Sequence, residues 1–145
     1  MKKLLAVLVF LALIPAHAFA AGSITYVYTP VNSWLSSLTF TWTAATGGAV
    51  TAKAGPAIDG MVILVETNPG STAPTDNYDL TLTDSGGADV MGGSLANRDS
   101  TTTERAMPLQ NGNYTGVPVH GPLTLNISGN SVSAATGTVT VYFAR

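Results

Sequence analysis

Four stretches of this chain alternate apolar and polar residues with a period of two. In "SLTFTWTA", Leu38, Phe40 and Trp42 alternate with Thr39, Thr41 and Thr43. In "NYDLTLTD", Tyr78, Leu80 and Leu82 alternate with Asp79, Thr81 and Thr83. "GPLTLNIS" does the same with Leu123, Leu125 and Ile127, and "GTVTVYFA" with Val139, Val141 and Phe143. A period of two puts one row of side chains on each face of a sheet. Threonine recurs in the polar row because its branched side chain suits an extended backbone and tolerates water. "GMVILVET" is a continuous apolar run, as expected of a central strand covered on both faces.

Between these runs lie "ATGGA", "NPGSTAPTDN", "DSGGAD", "QNGNYTG" and "SGNSVSAATG". Their Gly, Pro, Asn, Asp and Ser are turn formers. "SLANRDSTTTERAM" comes nearest to a helix, but its run of Ser and Thr makes it a poor one. Strands are predicted over 24–29, 36–44, 49–54, 60–68, 77–83, 88–91, 103–109, 117–127 and 137–143. Strands so spaced imply an all-β domain: an antiparallel β-sandwich of immunoglobulin-like or jelly-roll type, or alternatively a small closed barrel.

Residues 1–20 stand outside that pattern. Lys2 and Lys3 precede an apolar run from Leu4 to Ile14, Pro15 breaks it, and Ala18-Phe19-Ala20 supplies a small-x-small cleavage site. These are the three parts of a secretory signal peptide. The run is too short for a spanning helix, which needs about 20 apolar residues. Cleavage after Ala20 is expected, leaving one domain over 21–145 in the periplasm or outside the cell. With no Cys, disulfides and thiolate metal sites are excluded. The chain has six bases and eight acids; loss of Lys2 and Lys3 leaves four bases against eight acids, a net of −4. Phosphate contacts need clustered Lys and Arg, so neither nucleic acid nor an anionic membrane surface is an expected partner.

Most of the carboxylates gather between 76 and 105: Asp76, Asp79, Asp84, Asp89, Asp99 and Glu104. Asp76, Asp79, Asp84 and Asp89 flank two turns and are weak calcium candidates, since calcium takes loop carboxylates and carbonyls. The spacing is not that of an EF-hand. The competing reading, which is preferred, is that Asp side chains bond nearby backbone N–H groups in turns. Arg98 and Arg105 are close enough in sequence to neutralise some of these acids. No cofactor is expected.

Catalytic signals are weaker still. His120 is the one histidine after the signal, and "GGSLA" ends in Ala96 where a nucleophile elbow needs Gly. A zinc site would have to be built almost wholly from carboxylates. No enzyme activity is expected. Trp42 is in phase with Leu38 and Phe40 and belongs to the core. Trp34, in "PVNSWLSS", either plugs one end of the sandwich, the favoured reading, or stands exposed as an interface anchor. "NYT" at 113–115 and "NIS" at 126–128 match the N-glycosylation pattern by chance.

Residues 38–145 resemble a group of small β-rich proteins encoded by tailed phages and prophages. The resemblance lies in "TNPGSTAPTDNYD", "DVMGGSLANR", "HGPLTL" and the short β C-terminus. His120 stands where that group carries an acid. The group brings no catalytic or binding residues to carry over. It implies a virion or assembly role, which the signal peptide directs toward the host envelope. The expected function is therefore an exported, non-catalytic structural or interaction module with a protein partner or self-association. The alternatives are a carbohydrate-binding sandwich using Trp34 and an outer-membrane β-barrel.

Overall fold

The structure is a computed structural model and describes residues 22–145. The expected signal peptide and its expected cleavage site lie outside the described residues. The described chain is an all-β antiparallel sandwich. β1 (Ser23–Pro30) and β2 (Leu35–Thr43) form a hairpin. β3 (Lys53–Pro69) is the longest strand, followed by β4 (Asp79–Thr83) and the short β5 (Glu104–Ala106). β6 (Leu109–Gln110) and β7 (Asn113–Tyr114) form a small separate hairpin. β8 (Val117–Ser128) and β9 (Thr136–Ala144) complete the chain.

The strand order is β1-β2-β9-β3-β8-β4, with β5 also on β3. β3 belongs to both layers. Its first half, Lys53 to Val62, pairs with β8, and its second half, Met61 to Pro69, pairs with β9. Bulges between Ala54 and Ala57 and between Val62 and Leu64 bend it. Bends of this kind let one strand pass from sheet to sheet. One layer is therefore β1-β2-β9 with the end of β3 and β5. The other is the start of β3 with β8 and β4. A Cβ on Gly55 would touch Leu38 and Phe40 at 3.0–3.4 Å, so the layers meet closely there. The last strand, β9, lies inside its sheet, whereas the immunoglobulin order leaves its last strand at an edge. The connectivity thus departs from the immunoglobulin order.

The inward rows are those that the alternation predicts. Leu38, Phe40, Trp42, Val139, Val141 and Phe143 from one layer and Leu80, Leu82, Leu123 and Leu125 from the other are all buried. Trp42 and Tyr78 pack across the layers, ring centroids 5.9 Å apart.

Several expectations need correction. Of the strand predicted at 49–54 only Lys53 and Ala54 are extended, and they run on into the one predicted at 60–68 as a single strand, because a bulge between Ala54 and Ala57 absorbs the Gly55-Pro56 position that reads as a break. Residues 88–91 form turns with a single bridge, Thr83 to Asp89. Only Glu104–Ala106 of the stretch 103–109 joins the main sheet. "GMVILVET" is not covered on both faces: the bulge at Val62–Leu64 turns both Val62 and Val65 inward and leaves Ile63 and Leu64 half-exposed on the outside. The closed-barrel alternative fails, since β1 and β4 end the strand order and do not pair with each other.

Candidate functional site

The turn between β1 and β2 is where sequence and structure differ most. Asn32 Oδ1 accepts the N–H groups of Trp34 (3.0 Å) and Leu35 (2.8 Å). The N–H groups of Val31 and Asn32 both donate to the Leu35 carbonyl, at 2.9 and 3.0 Å. Asn side chains bond backbone a few residues on in this way and fix a turn. The turn directs Trp34 outward, 56% exposed. Trp34 therefore does not plug the sandwich.

The same end gathers other groups. The Arg145 N–H donates to the Trp34 carbonyl at 2.9 Å. Its guanidinium carbon lies 5.5 Å from the centroid of the Tyr28 ring, within cation–π range. Tyr28 in turn donates its hydroxyl to Ser36 Oγ at 3.1 Å. β3 and β8 set Asp59 opposite His120, with 3.5 Å between Oδ1 and Nδ1 and both side chains largely in solvent. Two open clefts meet at Asp59, Gly60 and Arg145. One, of about 430 Å³, is lined by Met61, Val119 and His120, and the other, of about 470 Å³, by Tyr28, Ile58 and Phe143. Gly60 is required there, since a Cβ would strike the Ala144 carbonyl. This end combines an exposed indole, a cation, a carboxylate and shallow apolar floors. Such a surface can dock a partner.

The acidic stretch is a set of turns. Asp84 Oδ1 accepts from the N–H groups of Gly86 (2.9 Å) and Ala88 (3.0 Å). Asp89 accepts from Leu82 and Met91 at Oδ1 and from Gly93 at Oδ2. Asp79 Oδ1 accepts from Asn97 N–H at 2.8 Å, and Asp76 Oδ2 from the Asn77 amide at 3.3 Å. N–H bonds from Thr101 and then its hydroxyl, with Thr102 N–H, pull the Asp99 carboxyl down from 3.8 to about 2. Among the described residues no three His, Asp or Glu converge as a metal site. Asp76, Asp79, Asp84 and Asp89 are thus strung along a loop edge and not brought together. Of the arginines, Arg98 pairs within the stretch, with Glu104 at 3.6 Å, and Arg105 pairs outside it, with Glu66 at 2.7 Å across β5 and β3. Among the described residues no helix is long and apolar enough to cross a membrane.

Sequence reasoning missed Asp59, Arg145 and Tyr28, which share a cleft at the end where the Arg145 N–H meets the Trp34 carbonyl. They come from β3, the end of β9 and β1, and only the sheet order joins them. No family model, curated protein or solved structure matches the chain.

Proposed function

We propose that this protein is an exported, non-catalytic interaction module of phage or prophage descent. It acts at the virion or host envelope and docks a protein partner through the end that carries Trp34. The observation behind the reading is the exposure of Trp34 on a turn whose hydrogen bonds hold it out. An indole kept in water on a rigid turn loses little entropy on docking, and Trp is enriched among residues that dominate binding. The Arg145 backbone ties that turn to the end of the last strand. His120 supports the non-catalytic reading, since it lies in open solvent beside Asp59. The signal sequence supports export, and the phage-like motifs support the descent.

The test is co-sedimentation of the purified protein with host envelope fractions and with phage particles. Wild type should co-sediment with one of them, and Trp34→Ala should fold normally and stay in the supernatant. Equal sedimentation of both proteins would remove Trp34 from the interface. A glycan reading has one observation in its favour, the same exposed indole, because aromatic faces stack on sugars. Glycan-array binding lost in Trp34→Ala would favour it over a protein partner.

A further inference from the structure

This inference rests on the interaction-module reading and concerns a different surface, the free edge of β1. Among the described residues β1 pairs only with β2. The register runs unbroken from Ser23↔Thr43 to Pro30↔Ser36, and Val31 N–H donates to the Leu35 carbonyl at 2.9 Å. Antiparallel residue pairs alternate between hydrogen-bonded and non-bonded. Counting back from Val31, residues Thr29, Val27 and Thr25 exchange bonds with β2. Tyr28, Tyr26 and Ile24 therefore turn their N–H and C=O groups to the open side. Pro30 falls in that outward set, where its missing N–H breaks no ladder bond.

Among the described residues the other edges are guarded: the part of β8 that β4 does not reach, 117–123, carries Pro118 and Pro122. The loop after β4 covers it: Val90 N–H donates to the Leu82 carbonyl, and Leu80 N–H to the Leu95 carbonyl. The unpaired side of β3 over 53–60 carries Lys53, Pro56, Asp59 and a bulge. β5 is three residues long and includes Glu104 and Arg105. Charge, proline, bulges, shortness and covering loops are how proteins block strand addition. β1 is eight residues, "SITYVYTP", with no charge and no bulge, and its one proline is terminal. Tyr26 lies on the inward row, edge-on to Phe40 at 6.3 Å, yet is 41% exposed because no strand lies beyond it.

We infer that two copies pair antiparallel through β1 about a two-fold axis at Tyr26. In that register the strand complements itself. Tyr26 meets its own copy, Ile24 meets the second copy's Tyr28, Thr25 meets Val27 and Ser23 meets Thr29. Aliphatic faces aromatic, β-branched faces β-branched, and hydroxyl faces hydroxyl, which are favourable cross-strand pairs. The outward N–H groups of Ile24, Tyr26 and Tyr28 all find carbonyls, and Pro30 lands beyond the start of the opposing strand. A strand without charge meets its own image with no like-charge repulsion.

The test is light scattering on the chain as a bacterial host processes it, over a concentration series, with three variants. Wild type should weigh twice a single chain. Tyr26→Pro removes one outward N–H and should weaken the dimer about tenfold or more. Val27→Lys keeps the backbone but sets two ammonium groups diagonally across the axis, and should also give monomer. It decides the matter if Tyr26→Pro does not fold. The chain has no cysteine, so one introduced thiol reports one contact. Paired residues at the axis lie about 5.5 Å apart at Cα, within disulfide reach. Oxidised Tyr26→Cys should therefore cross-link, and Tyr114→Cys, exposed elsewhere, should not. A monomer at every concentration, a dimer untouched by Val27→Lys, or no cross-link from a folded Tyr26→Cys would each overturn the inference. Trp34→Ala should stay dimeric. A monomer whose envelope binding still depends on Trp34 would sink the dimer and leave the proposed function standing.

Discussion

The two tryptophans share a strand neighbourhood and have opposite fates. Trp42 is 1% exposed, packed on Tyr78 and against Gly137. Trp42→Ala should cost about 3–5 kcal/mol, measured by denaturant unfolding, since it removes a buried aromatic and leaves a cavity. Trp34→Ala should change stability by no more than about 0.5 kcal/mol, as for an exposed side chain. Gly137→Ala would bring a methyl to 2.8–2.9 Å from the Trp42 ring, an overpacking that costs about 1–3 kcal/mol. Tyr78 gives a pH test. Burial first, then the Glu104 carboxylate, push its hydroxyl from 10.0 up to about 12, with Arg98 opposing. The folded state holds the proton more tightly than the unfolded state does. That contribution to stability is therefore whole below pH 10 and lost as pH rises through about 12. Tyr78→Phe should flatten the fall in melting temperature over that window; an unchanged fall would assign it to other groups. The burial of Trp42 was legible because phase with Leu38 and Phe40 decides which face a residue takes. The exposure of Trp34 was not, because it depends on how Asn32 folds its own turn.

At the scale of elements, the alternating runs marked β2, β4, β8 and β9 correctly, since each buries one face and shows the other to water. β3 was misread as two strands. Gly and Pro signal a break locally, but here pairing with β8 across the first bulge and with β9 across the second holds the backbone extended. The Asn111-Gly112 turn was legible, because both residues take positive φ and close the β6–β7 hairpin as such a pair does. The acids were legible as turn formers from their Gly and Ser neighbours. Asp89 carries the most backbone, accepting from Leu82, Met91 and Gly93 and so helping to hold the loop over the edge of β4. Asp89→Ala should cost about 1–3 kcal/mol by leaving those donors unpaired. Millimolar calcium or a chelator should leave the wild-type melting temperature unchanged. A large calcium-dependent rise would mean that an ion binds the folded state.

Among the described residues the sandwich has guarded edges and an open one at β1, plus an exposed indole at the end where β1 turns into β2. Nothing in "SITYVYTP" alone says that it lies at an edge; the strand order decides that, and it depends on pairing between residues far apart in the chain. Export is the first test at this scale. A full-length gene expressed in a bacterial host should yield protein starting at Ala21, and recovery of intact Met1 protein in the membrane would contradict it. The most direct measurement is residue-resolved amide hydrogen exchange along β1 as the protein is diluted. The amides of Thr25, Val27 and Thr29, bonded to β2, should stay protected throughout. Those of Ile24, Tyr26 and Tyr28 should be protected only at concentrations where the dimer forms and lose protection on dilution. Protection that is uniform along the strand at every dilution, or alternation in the opposite phase, would contradict the open edge on which the account depends.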